Sequence, residues 1–445
     1  MKSYRFKALL QNSGWVENAT VSLDDSGKIV SVLQNDPADA ELIDGYALPA
    51  FQNAHSHAFQ YAMAGLAENH AGEDDFWSWR EAMYGLALNL DPEEIKSVAA
   101  MLYAELVRHG YSNVAEFHYV HHDKNGNPYN NLATTGEALI EAANEAGIKI
   151  TLIPIFYQKG GFGQAPNERQ RRFISKTFED YARLFEASAA VCKKYENANI
   201  AVGIHSLRGV EAPAILRAVN ELPDDVPFHM HVSEQLKEVA DCLAFLGARP
   251  VEWLLENASL NERFHLVHAT HLTAAETARL AKTGASVVLC PSTEGNLGDG
   301  IFPLREFQAS GGNWSIGTDS HIGLNPLEEL RLLDYGQRLV SHQRNTFTER
   351  GGLAAIEKAT VAGRRAMNNF EPRFFAVGAD FDACVIDAGA PLLARGAPEN
   401  LASTIVYASD AAQIGGTFVR GKLIRKDEKY QAIKERFIDC VKRFR

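Results

Sequence analysis

Histidine and carboxylate side chains recur at the ends of apolar segments in this sequence. The first two, His55 and His57, follow the largely apolar segment 48–54 and are one residue apart. In a β-strand successive side chains alternate between faces, so these imidazoles share one face, about 7 Å apart along the backbone. Two imidazoles placed in this way can bind one metal ion. Taken alone, the pair is equally consistent with two ordinary polar residues at the end of a strand.

Four later apolar segments end in residues of the same types. In chain order these residues are His205 with Arg208 beyond it, His229, His231 and Glu234, His265 and His268, and Asp319. We interpret His55, His57, His231 and Asp319 as ligands of one divalent metal ion, most simply zinc, because imidazole and carboxylate are common zinc ligands. Iron and manganese also accept this mixture of nitrogen and oxygen ligands.

Two further residues are placed to transfer protons beside that ion. Glu234 lies three residues beyond a proposed ligand, so its carboxylate is expected next to the ion, acting as a general acid and base. His268 is expected to hydrogen-bond Asp319 or the attacking water. For any one histidine the alternative is a buried core residue with satisfied hydrogen bonds, and we prefer that interpretation for His229 and His265.

The sequence favours one metal ion over two. In β/α barrels that bind two metal ions at their strand ends, the fourth strand commonly supplies a carboxylated lysine as a bridging ligand. The fourth apolar segment, residues 199–206, contains no lysine. Lys159 follows the third segment but lies beyond Tyr157, in a glycine-rich loop.

Eight apolar segments alternate with helical patterns in the middle of the chain. The predicted strands cover residues 46–53, 114–120, 148–157, 199–206, 227–234, 264–270, 286–291 and 314–320. The predicted helices between them include residues 92–109, 136–146, 172–194, 212–222, 236–246 and 274–282. Such alternation is typical of a parallel sheet covered by helices, and eight units form a (β/α)8 barrel. The active site of such a barrel lies at the carboxyl ends of its strands, where the candidate residues stand.

The two ends of the chain have a different pattern, with short extended segments separated by turns and a last helix near residues 429–443. We therefore predict an α/β protein with two domains. Residues 52–372 form a TIM-like (β/α)8 barrel, and residues 1–51 and 373–445 together form a small β-sandwich domain.

Composition narrows the class of protein. The 445 residues are 46% hydrophobic and 22% charged, with a formal net charge of −12. No stripe of lysine and arginine suggests a nucleic-acid or membrane surface, so a small-molecule substrate is favoured. No apolar run is long enough to cross a bilayer, and the first residues do not resemble a signal peptide. Five scattered cysteines without a CxxC pair indicate reduced thiols and a cytoplasmic protein.

Several of these motifs together resemble a known family over the whole chain. The HxH of the first strand, the HxxE of the fifth, His268 and Asp319 resemble the amidohydrolase superfamily. More narrowly, four segments resemble the N-formimino-L-glutamate deiminases, which act in histidine degradation. These segments are residues 55–68 (HSHAFQYAMAGLAE), 75–80 (DFWSWR), 115–123 (AEFHYVHHD) and 290–301 (CPSTEGNLGDGI). Residues 50–52 and Gly295 depart from the family's usual forms, which leaves room for a shifted substrate preference.

The resemblance implies a reaction and a set of roles. Water displaces ammonia from the formimino group and leaves N-formyl-L-glutamate. His268 and Asp319 are expected to help take the proton of the attacking water. Glu234 is expected to pass a proton to the nitrogen, which otherwise leaves poorly. The resemblance also implies a homodimer.

The two carboxylates of such a substrate require cations or strong donors. Arg208 is the first choice, because a guanidinium can bind a carboxylate through two hydrogen bonds. Arg80, Gln60 and Tyr119 resemble the remaining substrate contacts of the family. The structural alternatives are a surface helix arginine for Arg80 and a packed aromatic residue for Tyr119.

His205 is expected to contact the reacting end of the substrate. Adjacent residues His118 and Tyr119 should face opposite ways in a strand, and Tyr119 is chosen on the resemblance alone.

Two alternative functions remain open at this point. The first is a related deaminase of the same superfamily that acts on formiminoaspartate, guanine or another amidine-bearing ring. The second is a non-catalytic scaffold that keeps the barrel, although such proteins typically lose metal ligands and this sequence keeps all four.

Overall fold

The structure is a computed structural model that describes residues 2–36, 39–68, 76–344, 346–347, 350–394, 396–425 and 427–444. For residues 76–78 and 428 only the backbone is described. In this part of the chain, no helix is both long enough and apolar enough to cross a lipid bilayer.

Strands occur at both ends of the chain and throughout its middle. They are β1 (Lys2–Gln11), β2 (Gly14–Leu23), β3 (Ile29–Gln34), β4 (Glu41–Pro49), β5 (Phe51–Ser56), β6 (Tyr111–His118), β7 (Lys149–Phe156), β8 (Ala198–Ile200), β9 (Val202–Ile204), β10 (Phe228–Val232), β11 (Phe264–His268), β12 (Ser286–Leu289), β13 (Asn313–Ile316), β14 (Ala383–Asp387), β15 (Ile414–Val419) and β16 (Lys422–Ile424).

Helices connect most of the central strands. They are α1 (Phe76–Ala87), α2 (Pro92–Arg108), α3 (Thr134–Ala146), α4 (Phe178–Cys192), α5 (Ala212–Glu221), α6 (Leu236–Leu246), α7 (Pro250–Asn257), α8 (Ala274–Ala281), α9 (Pro291–Leu297), α10 (Leu304–Ala309), α11 (Pro326–Ser341), α12 (Gly352–Arg365), α13 (Pro398–Ala408) and α14 (Glu428–Val441). Short 3-10 helices cover Ala58–Met63, Glu168–Gln170, Ala411–Gln413 and Lys442–Phe444.

The local sequence explains where several of these helices begin. Asp91 caps α2 by accepting the N–H of Glu94, whose own carboxylate accepts the N–H of Asp91, and a proline follows the cap. Thr177 and Thr273 cap α4 and α8 in the same reciprocal way. Each such cap satisfies backbone donors that the first helical turn leaves without a partner.

The central strands form one parallel barrel sheet. The hydrogen-bonded order is β13-β12-β11-β10-β9-β7-β6-β5, with β8 pairing beside β7. The strands at the two ends of this order, β5 and β13, are also joined. The N–H groups of Thr318 and Asp319, just after β13, donate to the carbonyl of His55 in β5 at 3.1 and 3.0 Å. The predicted (β/α)8 barrel is therefore confirmed. Its fourth strand is split at Ala201 into β8 and β9.

A second sheet is built from both ends of the chain. Its order is β16-β15-β14-β4-β1-β2-β3, and all its pairs are antiparallel except β1 with β4. These seven strands form a single hydrogen-bonded path. The predicted β-rich unit from both termini is thus present as a mixed sheet.

The prediction for the first barrel strand was wrong in its boundaries. Residues 46–53 were expected to form one strand, but β4 ends at Pro49 in the second sheet and β5 begins at Phe51 in the barrel. At the junction the N–H of Ala50 donates to Asp382 and the N–H of Phe51 donates to Gly110. Because the end of β4 and all of β5 are buried, the apolar run continues across the junction and hides it.

Gly317 allows the close approach of β13 to β5. A Cβ atom at this position would lie 2.8 Å from the Cβ of His55 and 2.9 Å from its backbone nitrogen and oxygen. These atoms belong to the strand that carries the histidine pair, so they cannot move without opening the barrel.

We predict that Gly317→Ala lowers the free energy of unfolding by about 1–3 kcal/mol, because overpacking against backbone forces the two strands apart. Gly85→Ala is the matched control, since a Cβ at Gly85 in α1 meets nothing within 4 Å. Urea unfolding of both variants is the measurement. Equal stability of the Gly317 variant and the native protein would contradict this account of barrel closure.

Candidate metal centre and its pocket

Four side chains with metal-binding atoms converge at the carboxyl ends of three barrel strands. His55 lies in β5 and His57 directly after it, His231 lies in β10, and Asp319 follows β13. All four are buried, with exposed fractions between 0% and 7%. The period-two alternation that begins in β5 places His55 and His57 on one face, as the sequence predicted.

Four of the six distances between these donor atoms suit the ligands of one metal ion. The Nε2 atom of His55 lies 3.2 Å from that of His57, 3.0 Å from that of His231 and 3.4 Å from Oδ1 of Asp319. Nε2 of His57 lies 3.3 Å from the same carboxylate oxygen. Ligands of a tetrahedral zinc ion at ordinary bond lengths are separated by about 3.3 Å. The donor atoms form two overlapping triads, His55 with His57 and Asp319 and His55 with His231 and His268, and within each triad all atoms lie within 4.8 Å of one another. Their chemistry and spacing suit a divalent ion next to His55.

Burial favours the protonation states that metal binding requires. It lowers the pKa of His55 to about 3 and also lowers the pKa of His57 and His231, so these imidazoles are neutral at physiological pH. Burial opposes ionisation of Asp319, but its hydrogen bond with His55 and the nearby imidazoles lower the pKa of this carboxyl. The Nδ1 atom of His57 donates to the carbonyl of Phe117 at 2.9 Å, which directs Nε2 towards the cluster.

The backbone turns sharply where these strands end. Ser233, His268, Ala269 and Asp319 have φ values of +50°, +69°, +49° and +46°, in the left-handed region that non-glycine residues seldom adopt. Such conformations concentrate at functional sites, where the surrounding structure holds them in place. Two of these residues, His268 and Asp319, line the pocket at the barrel mouth.

Glu234 and His268 lie together beside the proposed ligands. Nε2 of His268 is 3.7 Å from Oε1 of Glu234 and 3.8 Å from Oδ2 of Asp319. Both separations exceed a hydrogen bond, so the direct bond considered between His268 and Asp319 is not made. Burial raises the pKa of Glu234. Burial opposes protonation of His268, yet the carboxylates of Glu234, Glu294 and Asp319 raise the pKa of this imidazole to about 10.

Glu294 is a site residue that the sequence analysis missed. Its Oε1 atom lies 3.3 Å from Nδ1 of His268 and accepts the N–H of Cys290 at 2.9 Å. Glu294 belongs to the segment 290–301 that was used for the family resemblance, so the signal was present as an acidic residue in that loop. Nothing in its spacing indicated which histidine it contacts.

The residues proposed to bind substrate share one pocket with the metal ligands. Gln60, Arg80, Tyr119, His205 and Arg208 line it together with His57, His231, Glu234, His268 and Asp319. His55 lies beneath this surface and is fully buried. The structure thus brings together every residue that the sequence analysis selected.

Neighbouring aromatic residues hold the pocket residues in place. Gln60 donates to the hydroxyl of Tyr119 at 2.9 Å, and the ring of His205 stacks on Tyr157 with centroids 4.0 Å apart. His118, the alternative to Tyr119, turns away and contacts the hydroxyl of Thr135 at 3.0 Å. The choice of Tyr119 therefore agrees with its position in the pocket.

Arg80 is fixed by two tyrosines that the sequence analysis did not select. Its Nε donates to the hydroxyl of Tyr84 at 2.6 Å and its Nη2 to that of Tyr157 at 3.1 Å. Gln170 donates to the same Tyr157 hydroxyl at 2.8 Å. Asp75, the first residue of the motif that ends at Arg80, lies outside the described residues.

The two histidines assigned to the core lie away from the metal cluster. His229 is fully buried and its Nε2 atom lies 2.9 Å from the carbonyl oxygen of Ala366. Its ring stacks on that of His265 with centroids 4.9 Å apart. Their burial away from the cluster agrees with the preferred interpretation, but the expected hydrogen bond is seen only at Nε2 of His229, and neither ring nitrogen of His265 has a hydrogen-bond partner among the described residues.

Comparisons with known proteins agree with this architecture. Residues 46–424 match the model of the amidohydrolase family. The chain is 41% identical to formimidoylglutamate deiminase of Pseudomonas aeruginosa, over 95% of this chain and 94% of that protein. It is 26% identical to 5-methylthioadenosine/S-adenosylhomocysteine deaminase of Halobacterium salinarum, over 95% and 92% of the two chains. The crystal structure of an amidohydrolase from Brucella melitensis superposes with a TM-score of 0.93 at 38% identity, covering 99% of both chains.

Two histidines of β10 provide a matched test of the metal centre. We predict that His231→Gln lowers the amount of bound metal from one ion per chain to well below that, because one of four ligands is lost. His229→Gln, two residues away and packed in the core, should retain the full amount. Elemental analysis of the purified proteins is the measurement. Equal metal content in the two variants would remove His231 from the ligand set.

Proposed function

The chain belongs to the amidohydrolase family, and from this premise we propose that it is a metal-dependent deiminase of histidine degradation. It hydrolyses N-formimino-L-glutamate to N-formyl-L-glutamate and ammonia. The observation that carries this proposal is the presence of Arg80 and Arg208 in the same pocket as the cluster of metal-binding atoms. The two carboxylates of such a substrate suit the arginines, and its hydrolysable amidine suits the cluster of metal-binding atoms. The 41% identity to the Pseudomonas aeruginosa enzyme supports the same substrate.

The proposed ion is a single zinc, with iron or manganese as alternatives, held by His55, His57, His231 and Asp319. Bound there, it would lower the pKa of a water molecule towards neutrality and so make hydroxide available for attack. The short distances from His55 to the other three donor atoms, and from His57 to Asp319, support a single ion.

Three side chains then move the protons of the reaction. With the cation bound, its positive charge would disfavour protonation of the neighbouring imidazole. His268 and Asp319 would then take the proton of the attacking water while its oxygen forms a bond to the formimino carbon. Glu234 passes a proton to the terminal nitrogen of the resulting tetrahedral intermediate. The carbon–nitrogen bond then breaks, because the nitrogen leaves as ammonia rather than as a poorly stabilised anion. The raised pKa of Glu234 supports this role, since a buried carboxyl can carry a proton near neutral pH.

The remaining pocket residues bind and orient the substrate. Arg208 and Arg80 bind its carboxylates, and the two tyrosines that fix Arg80 keep that guanidinium pointed into the pocket. Gln60, Tyr119 and His205 supply hydrogen bonds nearer the reacting group. Little side-chain freedom of Arg80, Gln60 and His205 is then lost on binding, because their neighbours already hold them.

We also propose that the protein is a cytoplasmic homodimer. All five cysteines are free thiols, which suits a reducing compartment. The exposed apolar side chains of Leu332, Tyr335 and Leu339 lie on one face of α11 and are candidates for the contact between subunits. Light scattering of the purified protein would distinguish a dimer from a monomer.

The main alternative is a related deaminase of formiminoaspartate, guanine or a similar substrate. The identity to 5-methylthioadenosine/S-adenosylhomocysteine deaminase brings adenosine-like substrates into the same group. A purine pocket would favour stacking and amide donors, whereas two separated carboxylates require arginines such as Arg80 and Arg208. The presence of all four candidate metal ligands together with Glu234 and His268 argues against the non-catalytic scaffold.

We predict that the purified, metal-loaded protein releases ammonia fastest from formiminoglutamate in a panel with formiminoaspartate, guanine and 5-methylthioadenosine. The reason is that a dicarboxylate can engage both arginines, which a purine cannot, and the 41% identity to formimidoylglutamate deiminase favours glutamate over aspartate. Ammonia release measured across the panel tests this order. Strong turnover of guanine without turnover of formiminoglutamate would overturn the substrate assignment, and no turnover or bound metal at all would support the scaffold.

We predict that Arg208→Ala lowers kcat/KM for formiminoglutamate by the equivalent of about 2–4 kcal/mol, because a carboxylate of the bound substrate loses its charged partner. Arg208→Lys is the matched control and should lie between the alanine variant and the native enzyme, since it keeps the charge but not the paired hydrogen bonds. Steady-state kinetics of the three proteins is the measurement. Unchanged kinetics in the alanine variant would remove Arg208 from the substrate site.

A further inference from the structure

Glu116 is a buried acidic residue that the proposed reaction does not use. It lies in β6 and is 2% exposed. Its partners are two hydroxyl groups and one backbone N–H, and no lysine or arginine pairs with it in the part of the chain that the structure describes. Burial raises the pKa of this carboxyl to about 7, whereas the three hydrogen bonds lower it. Burying such a group costs free energy, so these hydrogen bonds must serve the fold or the site.

Two of the three hydrogen bonds of Glu116 flank one proposed metal ligand. Its Oε1 atom accepts the N–H of Ala58 at 2.7 Å, and its Oε2 atom accepts the hydroxyl of Ser56 at 2.6 Å. Ser56 and Ala58 are the residues directly before and after His57. The hydroxyl of Tyr103, from α2, donates to the same Oε2 atom at 3.0 Å and holds the carboxyl in place. One side chain of β6 therefore fixes the chain on both sides of His57.

The next residue of β6 holds the imidazole of His57 itself. The carbonyl of Phe117 accepts a hydrogen bond from Nδ1 of His57 at 2.9 Å. The local sequence gives less support, because the 3-10 helix that begins at Ala58 has no side-chain cap from His57. We call the hydrogen bonds of Glu116 and Phe117 with residues 56–58 the β6 contacts. They fix both the backbone of His57 and the direction of its Nε2 atom, which lies 3.2 Å from that of His55.

The contacts of Glu116 do not require a particular charge on its side chain. Oε1 can accept the N–H of Ala58 in the ionised and in the protonated form, and a hydroxyl can either donate to Oε2 or accept from it. A glutamine amide offers the same possibilities, because its oxygen accepts and its NH2 group can donate to both hydroxyls. Methionine has a similar length, but its thioether is only a weak acceptor. Glutamine and methionine therefore separate hydrogen bonding from side-chain size.

We propose that Glu116 is a positioning residue that places His57 for metal binding before an ion arrives. This role rests on the metal centre of the proposed function. A ligand that is free to move must be ordered when it binds the ion, and the lost freedom lowers the affinity. Groups that orient the ligands without touching the ion therefore raise the affinity. Glu116 acts in this way through its hydrogen bonds with Ser56 and Ala58.

A purely structural role for Glu116 makes a different prediction. In that case its loss lowers stability, because a buried N–H is left without a partner, and zinc affinity changes no more than at any buried site of similar stability. Glu329 provides the matched control. It is 1% exposed and accepts both the N–H of Ser292, at 3.0 Å, and the hydroxyl of the same residue. Among the described residues it has no hydrogen bond or ion pair with a proposed ligand, so Glu329→Met removes similar hydrogen bonds away from the centre.

We predict that Glu116→Met raises the dissociation constant (Kd) for zinc by about 10- to 100-fold, as is common when an outer partner of the metal ligands is lost. Glu116→Gln should stay close to the native Kd, because it keeps the β6 contacts. Glu329→Met should also keep the native Kd, although its thermal midpoint falls as that of Glu116→Met does. Competition with a zinc chelator measures Kd in the absence of substrate, and thermal unfolding of the metal-free proteins measures stability.

Ser56→Ala is a second variant that decides the matter if Glu116→Met does not fold. It removes one hydrogen bond of Glu116, leaves the N–H of Ala58 paired, and should raise the Kd for zinc by a smaller factor. A native Kd in Glu116→Met, or in Ser56→Ala if only that variant folds, would overturn the proposal. An equal rise of Kd in Glu329→Met would do the same. If the native protein itself binds no zinc, the metal centre of the proposed function is wrong and the role of Glu116 is lost with it.

Discussion

The hydrogen bonds that close the barrel between β5 and β13 also bring the metal ligands together. The carbonyl of His55 accepts the N–H groups of Thr318 and Asp319 at 3.1 and 3.0 Å, and the N–H of His57 donates to Asp319 at 3.2 Å. Since paired strands lie about 4.8 Å apart, three of the four proposed ligands are held on adjacent strand ends by backbone alone. His231 completes the set from β10, on the other side of the barrel. The geometry of the centre thus depends first on the fold and only then on a metal.

The surroundings of this centre combine opposite charges in a buried space. Carboxylates of Glu234 and Asp319 lie close to His268, whereas the guanidinium groups of Arg80 and Arg208 line the same pocket. Electrostatic interactions are stronger in such a site than in water, so each group responds to its neighbours. The raised pKa of Glu234 and the lowered pKa values of the ligand histidines both have burial as their largest cause. A substrate with acidic groups at one end and a hydrolysable amidine at the other suits this arrangement.

Strand periodicity explains why much of the site could be predicted. In β5, alternation places His55 and His57 on one face, and both reach the cluster. The same alternation places His118 and Tyr119 on opposite faces of their strand. The family resemblance was needed only to choose Tyr119 as the one that faces the site. The first barrel strand was harder, because the apolar run passes through Ala50 from one buried sheet into another. Hydrophobicity does not change there, and the local mark of the boundary is Pro49, the last residue of β4, whose missing N–H suits the end of a strand.

The sequence alone determined the barrel, the residue types of the proposed metal centre and their location at strand ends, because these follow from short-range patterns. Only the tertiary structure decided which side chains touch across the barrel mouth. Glu294 contacts His268 from another strand's loop, and Tyr157 fixes Arg80 across 77 positions of sequence. Such pairs depend on how distant segments pack and on left-handed turns at the strand ends, as at His268. Neither is encoded in local spacing, and so the interactions that orient the reacting groups became visible only in the fold.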